Sequence, residues 1–175
     1  MSAGALTGLC ILDLTQGVAG PYCTKLFSDY GAEVLKIERP DGGDPARRAG
    51  PFPNDQPHPE RSGLFLDLNT GKRSITLNLQ DASGQQILQR LTKRADIIFE
   101  SFRPGTLARL GLDDATLTTA NPAAALVSIS NFGQHGPYRD FVADDMLLYA
   151  MAGSLIVTAY PGRAPKTPWI YAPLV

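Results

Sequence analysis

The strongest constraint on the fold is a β-α-β pattern near the start of the chain. Cys10-Ile11-Leu12 with Leu14 is a short, almost unbroken apolar run, the mark of a strand buried on both faces. Gly20-Pro21 then opens a helix, because proline loses no amide partner in a first helical turn. Cys23, Leu26, Phe27 and Tyr30 recur at helical spacing and are expected on one face. Gly31 is the expected stop, since glycine tolerates positive φ. Val34-Leu35-Lys36-Ile37 is the second strand. A helix between two buried strands implies parallel pairing through a right-handed crossover.

The segment Pro40 to Ser62 breaks the pattern with six prolines and many Gly, Asp and Arg residues. As a bare loop it is long for a compact domain, and such segments are usually functional or mobile. It does not separate two folded units, because the α/β pattern resumes after it. Ser74 to Leu79 alternates and reads as a strand with one face less buried. Ile87, Leu88, Leu91 and Ala95 predict an amphipathic helix. Asp96 to Glu100 and Ala125 to Ser130 read as strands, with a short helical piece after Pro104 between them. Met146 to Met151 reads as a helix, with loop or short strand after Gly153. The expected class is α/β, a mainly parallel sheet with helices on both faces.

Composition narrows the function. The formal net charge is -1, so nothing attracts bulk nucleic acid or an anionic membrane. An anionic ligand must be held by local arginines and backbone amides. Cys10 and Cys23 sit in apolar surroundings and are expected to be reduced core residues. The first nine residues lack the basic-then-apolar form of a secretory leader. No run approaches the ~18 apolar residues of a membrane span. The expected setting is the cytoplasm. The end, Thr167 to Val175, is apolar and has no polar tail. It is expected either to mark a truncated chain or to dock as a terminal strand.

In an open parallel sheet, ligands collect outside the carboxyl ends of the strands. After the first strand, Thr15 to Pro21 is a small-residue turn into a helix N-terminus, where free amides favour an anion. It is neither a dinucleotide fingerprint nor a phosphate-binding P-loop, and a plain tight turn reads the same way. After the second strand, Arg39 can fork to a phosphate or stand as a surface charge. After the fourth, Phe102 offers a flat face to an adenine, and Arg103 and Arg109 can neutralise phosphates. The bland reading there is a core phenylalanine with solvated charges. His135 rides on a turn built by Gly133, Gly136 and Pro137 and reads as simply exposed. With only His58 and His135, and no ligand-spaced partners, no metal site is expected. Asp144 and Asp145, if helical, point about 100° apart and form no shared dyad. A helix N-terminal charge pair is the favoured reading.

Together these segments resemble the class III CoA-transferases. Leu12-Asp13-Leu14-Thr15 with Ala19-Gly20-Pro21 resembles their opening. Gly31 to Pro40, followed by Gly42-Gly43-Asp44, is similar to their second segment. Leu68-Asn69 with Lys72-Arg73-Ser74 resembles a third. Phe102 to Gly111 and Ser130 to Tyr138 complete the set in the family's order and spacing. The family includes formyl-CoA and carnitine CoA-transferases and the α-methylacyl-CoA racemases. The resemblance implies an interlaced homodimer, with CoA on a large Rossmann-like domain and a smaller second domain. Residues 1–175 would be the N-terminal part of the large domain, since the family's chains are roughly twice as long.

By that resemblance Gln16, Val18 and Ala19 match the turn that meets CoA near the reacting end. Arg39 matches an arginine on the nucleotide, and Leu77 a residue lining the adenine side. Ser101 and Phe102 match an Asn-Phe pair, with serine in place of asparagine. Arg109 and Leu110 match an Arg-Met pair around the phosphates and adenine. The family's nucleophilic aspartate is expected one or two residues beyond Val175, so no catalytic group is assigned within the chain. The racemases' Gly-His-Asp triplet is matched by Ala143-Asp144-Asp145, which leaves Asp145 a supporting role. Without that histidine the acid/base partner is missing, and a transferase is favoured over a racemase or epimerase. The remaining alternative is a non-catalytic CoA-binding fragment or partner subunit.

Overall fold

The computed structural model describes residues 4–154. Strands β1 (Cys10–Leu14), β2 (Glu33–Glu38), β3 (Arg73–Thr76), β4 (Ile97–Glu100) and β5 (Ala125–Ser128) form one sheet in the order β3-β2-β1-β4-β5. Every neighbouring pair is parallel. The chain winds outward from β1 through β2 to β3, then passes back over β1 to β4 and β5. The direction of winding therefore reverses between β1 and β4, which is the switch point where such sheets place ligands.

The pleat sorts the strand residues into two cores. Leu12, Leu14, Ile37 and Ile98 face one way and pack with Leu88 of α3 (Ala82–Thr92) and with Ala95 and Leu112. Ile11, Val34 and Phe99 face the other way and pack with Ala32 and with Cys23 and Phe27 of α1 (Ala19–Asp29). Helices thus cover both faces, as the buried strands required. Gly31 ends the first crossover at φ 101°, a conformation that a Cβ would oppose.

Several elements depart from the sequence reading. Leu26 and Tyr30 do not share the buried face of α1: they are exposed, and Gly20, Thr24, Cys23 and Phe27 face inward instead. Strand β3 stops at Thr76 rather than Leu79. Leu77 N–H still donates to Glu38 O at 2.8 Å. Asn78 then turns the chain, accepting from Gln80 N–H at 3.1 Å and donating to Asp81 at 2.8 Å, the local bonding that makes Asn a turn residue. Helices α2 (Gly63–Asn69) and α5 (Asp114–Ala120) lie outside the periodic segments of the sequence. Each begins at a capping side chain: Ser62 Oγ accepts from Phe65 N–H at 3.1 Å, and Asp113 from Thr116 N–H at 2.9 Å. Between Pro40 and Ser62 the chain is not a bare loop. It makes two short 3-10 turns, Pro45–Arg48 and Pro53–Asp55. The short helix α4 (Thr106–Arg109) lies where the sequence placed one.

Ser130 ends one compact unit and Asn131 begins a second. Within the second, Phe132, Tyr138 and Phe141 form an aromatic triangle, the closest ring centroids 5.1 Å apart. Asp144 caps α6 (Asp145–Met151) by accepting from Leu147 N–H at 2.8 Å. The expected apolar terminus, Thr167 to Val175, lies outside the described residues.

Candidate functional site

The switch point brings two expected residues together. Gln16 N–H, just past β1, donates to Ser101 Oγ, just past β4, at 2.8 Å. Gly17 N–H, at φ 78°, donates to Asp44 Oδ1 at 3.0 Å. The turn after β1 is thus tied to β4 on one side and to the loop after β2 on the other. It leads into α1 at Val18 with no side-chain cap. The first-turn amides that sequence reading offered to an anion therefore meet no capping side chain of their own.

Beneath the turn lies a buried set of charges that sequence reading missed. Asp13 and Lys36 are register partners on β1 and β2 and are 0% and 1% exposed. Asp13 Oδ1 accepts from Thr15 N–H at 2.9 Å and from the Thr15 hydroxyl. Asp13 Oδ2 accepts from Thr24 Oγ1 at 2.6 Å and from Lys72 Nζ at 3.0 Å. Lys36 Nζ donates to Thr15 O at 2.9 Å and lies 2.8 Å from Asp44 Oδ2. Burial pushes the Asp13 carboxyl upward, but the Lys36 and Lys72 ammonium groups and the two threonine hydroxyls outweigh it and hold it below the usual range.

A third ion pair adjoins these two. Arg47 grips Glu38 with both arms, Nε to Oε2 at 2.7 Å and Nη2 to Oε1 at 2.9 Å. Glu38 also accepts from Asp44 N–H at 2.9 Å and Ser74 Oγ at 2.7 Å. Burial opposes its charge, yet these donors and the Arg47 charge bring its pKa down to about 2. Arg47 itself stacks 3.7 Å over the Phe65 ring of α2. The signal was in the sequence: a strand buried on both faces carries Lys36 and Glu38, and buried charges need partners.

The remaining expected residues are spread along the same carboxyl edge. Arg39 is exposed and donates through Nε to Gly43 O at 3.1 Å, next to the Asp44 that holds Gly17. Val18 and Ala19 are exposed at the start of α1. Leu77, Phe102 and Leu110 are half-buried and pack against the same core cluster, the one that contains Leu88. Phe102 N–H also donates to Glu100 Oε2 at 2.8 Å. Arg103 is exposed. Arg109, exposed on α4, donates to Thr106 Oγ1 at 3.0 Å within its own helix. Among the described residues, no hydrogen bond or ion pair joins Arg109 to the Gln16–Ser101 pair.

In the second unit His135 is exposed, and Asp144 and Asp145 stand at the start of α6 as cap and first residue. They form the helix N-terminal pair rather than a dyad. Among the described residues, no cluster of three or more His, Cys, Asp or Glu is arranged to hold a metal. Cys10 and Cys23 are free thiols. No described helix is long and apolar enough to cross a membrane.

Comparison with known proteins agrees with the fold. The chain is 39% identical over 162 residues to the acetyl-CoA:oxalate CoA-transferase of Acetobacter aceti, covering 93% of this chain and 40% of that one. It is 36% identical over 166 residues to the succinyl-CoA–L-malate CoA-transferase beta subunit of Chloroflexus aurantiacus, covering 93% and 39%. The crystal structure of a CAIB/BAIF family protein from Brucella suis superposes with a TM-score of 0.84 at 32% identity, covering 97% of this chain and 44% of that one. The chain thus spans about two fifths of the length of these curated relatives. The family model described as CoA-transferase family III matches residues 6–172. A doubly wound parallel sheet, the strand-tip turns and this match over nearly the whole sequence place the chain in CoA-transferase family III.

Proposed function

We propose that this chain supplies the CoA-binding part of an enzyme that transfers CoA between an acyl-CoA and a carboxylic acid. The observation that carries the reading is the Gln16–Ser101 hydrogen bond at the switch point, where open α/β sheets bind ligands. In this reading Gln16, Val18 and Ala19 border the thioester end of CoA, and Ser101 braces their turn. Arg39 and Arg109 neutralise phosphates. Leu77, Phe102 and Leu110 give the adenine an apolar wall that is already packed on the core.

The chemistry belongs to an aspartate beyond residue 175. Its carboxylate attacks the acyl carbonyl, forming a mixed anhydride and releasing the CoA thiolate. The thiolate then attacks the aspartyl carbonyl of the anhydride, giving an aspartyl-CoA thioester and freeing the first carboxylate. The acceptor acid reverses both steps. Asp145 takes a supporting role. The assembly is a homodimer and the setting is cytoplasmic, compatible with the free thiols of Cys10 and Cys23.

The test is an assay of the full-length gene product with acetyl-CoA or succinyl-CoA as donor and oxalate or L-malate as first acceptors. Their choice follows the names of the relatives. A new acyl-CoA species, seen by mass, is the expected outcome. Solvent deuterium at the α-carbon of a branched acyl-CoA, without acid exchange, would assign a racemase instead. CoA binding with neither reaction would leave a binding subunit, and light scattering that reports a monomer would remove the dimer.

A further inference from the structure

The turn from Thr15 to Gly17 has no regular secondary structure, yet its polar groups are held from three sides. Asp13 takes Thr15 N–H, Lys36 donates to Thr15 O, Ser101 takes Gln16 N–H, and Asp44 takes Gly17 N–H. Asp44 differs from the others in where it comes from. It is carried by the loop after β2 and follows Gly43, whose carbonyl accepts from Arg39 Nε at 3.1 Å. Its side chain is fully buried, and its second oxygen lies 2.8 Å from Lys36 Nζ. Its own N–H donates to Glu38. Asp44 therefore links two segments: its carboxylate holds the turn assigned to the thioester end of CoA, and its peptide bond joins it to Gly43, whose carbonyl holds the arginine assigned to the nucleotide end.

We propose that Asp44 is a positioning residue for CoA: a strut that holds the Gln16 turn and the Arg39 loop in one fixed relation before the ligand arrives. The inference rests on the CoA-binding reading above. A ligand that must meet both segments at once then binds without ordering them, and preorganisation of this kind appears as affinity. Asp44 touches neither end of the ligand. It acts through Gly17 and Gly43.

Removing one charge of a buried pair costs more than removing both, so the test uses two neutral pairs in the full-length gene product. Lys36→Met with Asp44→Asn keeps an oxygen that can accept Gly17 N–H. Lys36→Met with Asp44→Leu has similar volume and no acceptor. Coenzyme A affinity is read by calorimetry, and exchange of the Gly17 amide by NMR. The strut predicts faster Gly17 exchange and about tenfold weaker coenzyme A binding in the leucine pair than in the asparagine pair, at matched melting temperature. Equal affinities in the two pairs overturn the proposal. Should the leucine pair not fold, the wild-type protein decides. A Gly17 amide that exchanges slowly before coenzyme A is added supports the strut, and one that becomes protected only on binding overturns it. Wild-type protein that binds no coenzyme A overturns the functional reading, and the proposal with it.

Discussion

Ser101 Oγ accepts the Gln16 amide at 2.8 Å across the point where the winding of the sheet reverses. The residues are 85 positions apart in sequence. One hydroxyl therefore extends the β1–β4 pairing past the carboxyl ends of the two strands. Ser101→Ala leaves a part-buried amide without its partner. The expected cost is about 1–3 kcal/mol of stability, with faster exchange at Gln16. Urea denaturation and amide exchange check it, and an unchanged Gln16 exchange rate would show that the bond does not hold the turn.

The Glu38 carboxyl predicts an acid limit. Its folded pKa is depressed from 4.5 to about 2, so its contribution is fully present above pH 4.5 and disappears as the pH falls toward 2. A shift of that size corresponds to roughly 3 kcal/mol. Urea midpoints measured from pH 6 to pH 2 are expected to fall within that window. Glu38→Gln should flatten the fall, and a variant with the wild-type slope would assign the acid sensitivity to other carboxylates, Asp13 first.

Gly20 is packed against Thr15. A Cβ there would overlap Thr15 Cβ, with Thr15 Oγ1 at 2.6 Å. Since the Thr15 hydroxyl and amide are both bonded to Asp13, the threonine cannot swing away without breaking the network. Gly20→Ala is expected to cost about 1–3 kcal/mol and to disturb the turn at Gln16. A melting temperature within one degree of wild type would argue against this.

Arg39 is exposed, so its loss should leave stability intact while weakening coenzyme A. Arg39→Ala is expected to raise the dissociation constant about tenfold, the scale of one charge-assisted hydrogen bond. The deficit should shrink as ionic strength rises. Equal affinities at low salt would remove Arg39 from the site.

The core prediction is independent of ligand. Leu88 is 1% exposed in the cluster that also supports Leu77, Phe102 and Leu110. Leu88→Ala should cost about 2–5 kcal/mol, measured by denaturant unfolding. A cost under 1 kcal/mol would mean that the cluster collapses around the gap.

Local pattern alone determined the central strands β1, β2 and β4, their parallel pairing and the coverage of both faces, because a buried apolar run leaves few ways to satisfy the backbone, while the exposed β3 ends short of its expected bound. It also marked the turn from Thr15 to Pro21 and Arg39, Phe102, Arg103 and Arg109 at the strand tips, since turns, glycines and arginines carry local signals, whereas only the family resemblance singles out Leu77 and Leu110. Helices α2 and α5 escaped because their starts rest on single capping side chains, Ser62 and Asp113, and their apolar faces are short. What tertiary structure decided was the partnership of charges. Asp13, Lys36, Asp44 and Lys72 come from four separate segments, and Lys72 and Asp13 are 59 residues apart. Their bonds run between strands, loop and helix, and no periodicity in a chain reports which buried charge will meet which. Gln16 meets Ser101 because β1 lies beside β4, and Asp44 reaches Gly17 because β1 lies beside β2.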